Sequence, residues 1–221
     1  MISKKELLSS FKLYAITDVR PGQSGLEAKV EEAFRGGADV VQLRAKNIMD
    51  GELLRLAVRI RQIANQARKL FIVNDRADIA LLSEADGVHV GQEDVPIEAI
   101  RRLTHKLARE FFIGKSTHSL SQALSAERDG ADYIGVGPIF ATPTKPGRAS
   151  VGLELVQQVT QAHLSIPFVA IGGIDLTNIQ QVLEAGAAKA ACVRAIFDQE
   201  DIYDATRQLL RQWETISHGR A

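Results

Sequence analysis

The sequence contains little cysteine, no net charge and no long apolar run. Only one of its 221 residues is a cysteine, Cys192, which excludes a framework of intrachain disulfides. The 27 Lys and Arg residues balance the 27 Asp and Glu residues, so no overall field draws the chain to nucleic acid or to a membrane. No run approaches the roughly 20 apolar residues of a membrane span, and the N-terminus lacks the apolar core of a signal peptide. We therefore expect a cytoplasmic protein, or one from an equivalent reducing compartment, that holds any anionic ligand in a local site.

What the chain does have is an alternation of short apolar runs and longer amphipathic segments. The runs cover residues 13–17, 40–43, 70–73, 87–90, 111–114, 133–136, 168–171 and 190–193. Apolar residues at helical spacing recur in 30–34, 53–61, 77–82, 96–109, 120–128, 153–163, 177–184 and 203–213. Such an alternation is typical of parallel strands joined by crossover helices. About eight strand and helix pairs predict an α/β fold, a single (β/α)8 TIM barrel.

A repeated turn supports this prediction. Gly37, Gly130 and Gly186 each follow a predicted helix and begin a Gly-Ala-Asp or Gly-Ala-Ala triplet that leads into a strand. The rival fold is an open doubly wound sheet, which shows the same alternation, but no G-x-G-x-x-G follows the first strand. We expect one barrel domain over residues 1–221, with a short N-terminal extension at 1–11 and a frayed tail at 215–221.

The candidate site residues lie at or just after the ends of the predicted strands, because active sites of such barrels lie at the C-terminal strand ends. These positions hold Gln42, Arg44 and Lys46; Asn74 and Asp75; Asp94; Ser116 and His118; Thr142, Thr144 and Lys145; Gly172 and Gly173; and Val193 and Arg194. The segment 137–152 is rich in Gly, Pro and Thr and has no helical or strand period. A segment of that length inside a domain is more often a functional loop than a plain connection.

Asp75 and Asp94 stand at neighbouring strand ends, where they can share a hard cation. With Arg44, Lys46 and Lys145 close by, they suggest a pyrophosphate bound through magnesium. Magnesium usually takes one or two carboxylates together with substrate phosphate oxygens. The alternative for each aspartate is a helix N-cap, because a predicted helix begins just after it. The alternative for Arg44 and Lys46 is a surface ion-pair set.

A second anion site is indicated by Gly172 and Gly173 together with Val193 and Arg194. In these barrels a phosphate often binds at the loops after strands seven and eight, against backbone N–H groups and a helix N-terminus. The alternative is a tight turn between strand and helix. Two anion sites in one mouth would point to an enzyme that joins two phosphorylated substrates.

Other polar or reactive residues have a structural interpretation. His118 and His89 are more often hydrogen-bonding residues than catalysts in such positions, although the pKa of histidine keeps His118 available for proton transfer. Cys192 lies within the last predicted strand and is interpreted as a small buried residue.

Six spaced motifs resemble those of the thiamine phosphate synthase family. They are Q-L-R-x-K at 42–46, N-D-x-x-D at 74–78, D-G-V-H-V-G-Q-x-D at 86–94, G-x-S-T-H at 114–118, T-P-T-K at 142–145 and A-I-G-G-I at 170–174. The match spans about residues 13–196. The resemblance implies that a pyrimidine pyrophosphate ester and a thiazole phosphate, carboxylated or not, condense to thiamine phosphate and pyrophosphate. It also implies Mg²⁺ and a dissociative transfer of the pyrimidinylmethyl group.

The resemblance assigns roles position by position. The residues implied to hold the pyrimidine pyrophosphate are Gln42, Leu43, Arg44, Ala45, Lys46, Asn74, Ser116 and Lys145. Those implied to hold the thiazole phosphate are Thr142, Pro143, Thr144, Gly173, Val193 and Arg194. Asp75 and Asp94 are the implied magnesium ligands, and the implied catalytic cations are Arg44, Lys46 and Lys145. Arg194 departs from the family, which commonly has a small hydroxyl residue there.

The sequence is also compatible with two other functions. A thiazole tautomerase shares the barrel but generally lacks the complete pyrimidine pyrophosphate set, and His118 would then be its acid or base. A regulator that binds a phosphorylated ligand without turnover is the second alternative. The expected partners are two small phosphorylated heterocycles, with no nucleic acid and no membrane, and a homo-oligomer is compatible with the sequence.

Overall fold

The computed structural model describes residues 3–20, 22, 24–143 and 149–218, with side chains described up to residue 215. The strands are β1 (Leu13–Ile16), β2 (Val40–Leu43), β3 (Leu70–Asn74), β4 (Gly87–Val90), β5 (Phe112–Thr117), β6 (Tyr133–Val136), β7 (Phe168–Ile171) and β8 (Ala190–Cys192). The helices are α1 (Lys4–Ser10), α2 (Leu26–Arg35), α3 (Asp50–Ala67), α4 (Ala77–Leu82), α5 (Ile97–Thr104), α6 (Leu120–Arg128), α7 (Gly152–Gln161), α8 (Ile179–Glu184), α9 (Arg194–Phe197) and α10 (Ile202–His218). None of the helices within these ranges combines the length and the apolar character needed to cross a membrane.

The strands form one closed barrel. Each strand pairs in parallel with the next in chain order, and β8 pairs back onto β1 through Leu13 and Ala190. This closure confirms the predicted (β/α)8 TIM barrel, and the open doubly wound sheet is wrong. The carboxyl ends of all eight strands therefore meet at one rim, which is where the sequence places its polar residues.

Alternate side chains of each strand enter two different cores. Because successive side chains point to opposite faces of a sheet, Val40 lies inside the barrel whereas Val41 and Leu43 pack outward against the helices. The inner cluster comprises Leu8, Phe11, Tyr14, Ile16, Val40, Leu70, Ile72, Phe112, Tyr133, Val169 and Ala191. The outer cluster is larger and fills the layer between the barrel wall and the helices.

Helix α1 covers the end of the barrel opposite the rim. It begins with a capping box, in which the Ser3 hydroxyl accepts from the Glu6 N–H at 3.2 Å and the Ser3 N–H donates to Glu6 Oε2 at 2.6 Å. Leu8 and Phe11 then bury themselves against the inner cluster. Each buried side chain of this size contributes about 1.5–3 kcal/mol. The extension predicted at 1–11 thus contains a helix, which the sequence analysis did not predict.

The repeated turn between helix and strand has the expected geometry. Gly37, Gly130 and Gly186 have φ values of 109°, 88° and 111°, in the left-handed region that favours glycine. Glu84 occupies the same place in a fourth copy at φ 55°, and the Ala85 N–H donates back to the Ala80 carbonyl at 2.9 Å. This copy was not predicted from the sequence, because a glutamate stands where the other copies have glycine.

Several boundaries differ from the prediction. β5 runs to Thr117 rather than stopping at 114, and α5 ends at Thr104 rather than near 109. The short helix α9 was not predicted. The last helix continues to His218, five residues beyond the predicted end at 213, and residues 219–221 lie outside the described part of the chain. The longer β5 matters most, because it turns Ser116 from a loop residue into a strand residue.

Candidate active site

The carboxyl ends of the strands surround a cavity of about 330 Å³. Four residues predicted for the pyrimidine pyrophosphate line it, namely Gln42, Arg44, Asn74 and Ser116. Four residues predicted for the thiazole phosphate line it as well, namely Thr142, Gly173, Val193 and Arg194. The fold therefore brings four members of each predicted set, which are scattered between residues 42 and 194, to the same space.

Arg44 is fixed at the rim by the end of β1. Its N–H donates to the Thr17 hydroxyl at 3.0 Å, and its carbonyl accepts from the Val19 N–H at 3.0 Å. Its guanidinium forms an ion pair with Asp18, and the residue is only 7% exposed. A charge buried to this extent needs partners, so Arg44 is not part of a solvated surface ion-pair set.

The other residues of the 42–46 segment lie differently. The Leu43 side chain belongs to the outer core, so Leu43 can meet a ligand in the cavity only through its backbone. Ala45 is partly buried and forms a parallel bridge with Val19. Lys46 is exposed beyond the rim, and its side chain does not line the cavity.

Asp75 stands directly after β3 in an unusual backbone conformation. Its φ is 61°, which non-glycine residues rarely adopt and which is common at functional sites. Its N–H donates to the His89 carbonyl at 2.8 Å, so the end of β3 is held against β4. The N-cap of α4 is Arg76, without a side-chain cap. The capping alternative is therefore wrong for Asp75.

Asp94 closes the turn that follows β4. Its Oδ2 accepts from the Gly91 N–H at 2.6 Å, while the N-cap of α5 is Pro96, also without a side-chain cap. The capping alternative is wrong here too. Lys115 reaches the same turn, since its ammonium donates to the Gly91 carbonyl at 2.6 Å. Burial lowers the pKa of Lys115, and the charge of Asp94 acts in the opposite direction.

The two aspartates are the predicted ligands of a metal ion. Within the described ranges, no three His, Cys, Asp or Glu side chains lie close enough together to hold an ion. Asp75 and Asp94 supply carboxylate oxygens from neighbouring strand ends, which suits a hard cation that completes its shell with water and phosphate oxygens. The donor set therefore fits Mg²⁺ bound together with a substrate, and it does not fit an ion bound by protein alone.

The opposite side of the mouth holds the glycine pair of the second predicted anion site. Gly172 and Gly173 have φ values of 103° and 66°, and a Cβ at Gly173 would lie 2.8 Å from the Ala141 carbonyl oxygen. The chain bends sharply at Gly172 and Gly173, as the turn alternative predicts. The Gly173 backbone also lines the cavity. Arg194 is exposed and begins α9, where the first N–H groups have no partner within the helix.

The long loop after β6 starts as an extension of that strand along β7. The Ile139 N–H donates to the Ile171 carbonyl at 2.9 Å, and the Phe140 N–H donates to the Gly172 carbonyl at 3.0 Å. This pairing carries Thr142 to the cavity, and Pro143 follows it as an exposed residue. Thr144 and Lys145 fall outside the described residues, so their predicted roles stay predictions.

Part of the cavity wall comes from residues outside the two predicted ligand sets. Tyr14, Gly137, Pro138 and Asp175 line it, and so does His89, which was interpreted as structural. His118 also lines the cavity, and its Nδ1 contacts the Gly137 carbonyl as expected of a hydrogen-bonding residue. Tyr14 carried no signal in the sequence, because an inward strand tyrosine has the same pattern as a core residue. Cys192 is buried, as predicted.

Comparison with known proteins identifies the family. A family model described as "Thiamine monophosphate synthase" matches residues 13–196. The chain belongs to this family. A thiamine-phosphate synthase of Chloroflexus aurantiacus is 47% identical over 203 residues, which cover 90% of this chain and 91% of that protein. One of Thermosynechococcus vestitus is 46% identical over 205 residues, covering 93% of this chain but 56% of the relative. The chain thus spans little more than half the length of that relative.

A solved structure agrees with the family assignment. Thiamine phosphate pyrophosphorylase from Pyrococcus furiosus superposes with a TM-score of 0.84 at 37% identity, covering 97% of this chain and 99% of that one. The barrel of this chain therefore matches that protein over nearly the full length of both.

Proposed function

We propose that this chain is a thiamine phosphate synthase. It joins a pyrimidine pyrophosphate ester to a thiazole phosphate and releases thiamine phosphate and pyrophosphate. One observation carries the proposal: Gln42 and Ser116 of the pyrimidine set face the same 330 Å³ cavity as Thr142 and Gly173 of the thiazole phosphate set. A cavity shared by two anion sites suits an enzyme with two phosphorylated substrates.

The pyrophosphate end of the first substrate would lie toward Arg44, Lys46 and the aspartates. Arg44 is held in place before a ligand arrives, so its charge is available without reorganisation as negative charge grows on the departing pyrophosphate. Lys46 adds a flexible second cation from the rim. Asp75 and Asp94 would hold Mg²⁺, which when bound neutralises pyrophosphate oxygens and makes them a better leaving group.

The thiazole phosphate would bind between Gly173 and the start of α9. Backbone N–H groups at this point favour a phosphate dianion, and Arg194 offers a guanidinium that can bind phosphate through two hydrogen bonds. This anchoring would place the thiazole nitrogen toward the pyrimidine carbon. No protein nucleophile is needed, because the carbon–oxygen bond of the pyrophosphate ester breaks first and the thiazole nitrogen then captures the pyrimidinylmethyl cation.

The cavity also supports a dissociative transfer by excluding water. Ile16, Val169, Ile171 and Ile174 give it apolar walls, and a cationic pyrimidine is protected from hydrolysis when water is kept out. The loop that starts at Gly137 would complete the cover. Thr144 would bind the thiazole phosphate and Lys145 would bind the pyrophosphate. The loop would close over both substrates.

The test is a product assay with both substrates. The purified chain with Mg²⁺ should form thiamine phosphate and pyrophosphate in equal amounts, and neither should form when the thiazole phosphate is left out or EDTA is added. Isomerisation of a thiazole without pyrophosphate release would show the tautomerase instead. Binding of a phosphorylated ligand without any product would show the regulator.

A further inference from the structure

A series of hydrogen-bonded side chains crosses the barrel, and four of its five residues line the cavity. The Gln42 amide contacts the Tyr14 hydroxyl at 2.8 Å, and Tyr14 contacts the Tyr133 hydroxyl at 2.9 Å. Tyr133 contacts His89 Nδ1 at 3.1 Å, and His89 Nε2 contacts the Ser116 hydroxyl at 3.0 Å. The two ends of the series, Gln42 and Ser116, are the predicted pyrimidine ligands from opposite walls of the mouth.

The barrel is shaped around these rings. A Cβ at Gly114 would lie 2.2 Å from Tyr133 Cζ and 2.5 Å from His89 Nδ1, so no other residue fits there without moving a ring. A Cβ at Gly135 would lie 3.2 Å from His89 Cε1. The space for the His89 ring is thus made by glycines on β5, which pairs with β4, and on the next strand, β6.

When the Gln42 amide donates, the direction of every other hydrogen bond in the series follows. Tyr14 accepts from Gln42 Nε2, and within the described residues its own hydrogen can go only to Tyr133. Tyr133 must then donate to His89 Nδ1, which leaves the His89 hydrogen on Nε2, pointing at Ser116. Burial raises the pKa of Tyr14 and of Tyr133 well above that of an ordinary tyrosine, so both phenols keep their hydrogens.

We propose that Tyr14, Tyr133 and His89 are positioning residues that set which hydrogen-bonding group Gln42 and Ser116 present to the cavity. With the order above, Gln42 presents its carbonyl oxygen, which has no partner among the described residues. The Ser116 hydroxyl accepts from His89 and keeps its own hydrogen for the ligand. The series thereby offers an acceptor on one wall and a donor on the other.

This polarity matches an aminopyrimidine, and the match rests on the proposed function. An exocyclic amino group donates to the Gln42 carbonyl, and a ring nitrogen accepts from Ser116. As the pyrophosphate leaves, positive charge spreads to the amino group and makes it a stronger donor. The contact with Gln42 therefore strengthens in the transition state, and such differential contacts raise kcat.

The first test reads the histidine directly and needs no turnover. In protein labelled with ¹⁵N-histidine, long-range ¹H–¹⁵N correlation spectra report which ring nitrogen carries the hydrogen. The chain has five histidines, and a His89→Gln variant identifies the signal of His89. We expect a neutral ring with the hydrogen on Nε2. A hydrogen on Nδ1 would mean that every donor in the series is reversed, and the proposal would be overturned.

The second test measures selectivity. In Tyr14→Phe the Gln42 amide loses its acceptor and can rotate, so we expect kcat/KM for the aminopyrimidine substrate to fall about tenfold to hundredfold, mostly through kcat. The inhibition constant of the analogue with an oxo group in place of the amino group should stay the same or improve. Equal losses for both ligands would show a merely structural role and overturn the proposal.

Two further variants keep the result interpretable. Tyr133→Phe breaks the series of hydrogen bonds one step further along, and it should shift selectivity in the same direction. It replaces Tyr14→Phe as the test if that variant does not fold. Tyr203→Phe is the matched control, because Tyr203 stacks with Arg35 and Arg207 outside the barrel, and it should leave both constants unchanged. If the wild-type chain forms no thiamine phosphate, the proposed function fails, while the histidine spectrum still decides whether the hydrogen-bonded series is correct.

Discussion

Asp86→Ala tests the buried ion-pair cluster that closes the bottom of the barrel. Asp86 is fully buried at the start of β4 and accepts three hydrogen bonds: from the Phe71 N–H at 2.8 Å, from Arg61 and from Lys4. Arg61 is itself only 6% exposed, and its second contact in this cluster is the Asn65 side chain at 2.6 Å. Removing the carboxylate would leave a guanidinium and a backbone N–H buried without their acceptor.

The size of the loss follows from these partners. Breaking a buried ion pair from one side typically costs about 3–5 kcal/mol, because the remaining charge is not compensated, and an unsatisfied N–H costs about 1–3 kcal/mol within such a total. The Lys4 side chain is 46% exposed, so its pair contributes at most about 1 kcal/mol. We expect Asp86→Ala to lower the free energy of unfolding by about 3–5 kcal/mol and the melting temperature by about 6–20 °C.

The measurement is urea unfolding followed by circular dichroism at neutral pH. Lys4→Ala removes the ion pair between α1 and Asp86 and leaves the buried pair of Arg61 and Asp86 in place. It should lower the free energy of unfolding by less than about 1 kcal/mol. Glu98→Ala is a surface control, because its pair with Arg102 is exposed, with side-chain exposures of 82% and 71%; it should change stability by less than about 0.5 kcal/mol. A loss below about 1 kcal/mol for Asp86→Ala would refute the reasoning, since a charge buried in this way cannot lose its partner so cheaply.

The remaining predictions concern the site and the strand next to it. Asp94→Ala should reduce kcat at least about hundredfold with an unchanged melting temperature, whereas Glu93→Ala in the same turn should be close to wild type; full activity of Asp94→Ala would remove it from the site. Lys145→Ala should raise the KM for the pyrimidine pyrophosphate, and unchanged kinetics would remove its proposed role. Burial raises the pKa of the Cys192 thiol to about 12, so only about one thiol in ten thousand is ionised at pH 8. Cys192 should react with a thiol reagent only when the chain unfolds in urea, and rapid labelling of the native protein would contradict its burial.

The barrel could be predicted from the sequence because each of its elements carries its own signal. An apolar run of four residues between two amphipathic segments is sufficient to indicate a buried parallel strand, and all eight runs became strands. Helices α1 and α9 were missed for a physical reason. Helix α9 has four residues and α1 has seven, which is too short to show a helical period, and tertiary contacts rather than propensity hold such segments.

The candidate site was predictable at the rim and not below it. Listing the residues at and just after each strand end found Gln42, Arg44, Asn74 and Gly173, since the rule needs only the strand ends. It did not predict that the Leu43 side chain turns into the outer core, because this depends on which residue of the strand points inward. It also did not predict the pairing of Arg44 with Asp18, which joins the ends of two strands.

The residues below the rim can be placed inside the barrel once the orientation of one strand is known. Once Tyr14 is known to face the barrel interior, the parallel registers from β1 through β6 and the period of two place Gln42, His89, Ser116 and Tyr133 inside as well. Alternation therefore predicts that these polar side chains share a water-poor interior, where each must find a partner. Which of them bond depends on the stagger between strands and on the room left by glycine, and these are properties of the closed barrel rather than of any one segment. A polar residue at an inward strand position is thus a stronger sign of a site than a polar residue in the following loop, because the interior gives it no water to bond instead.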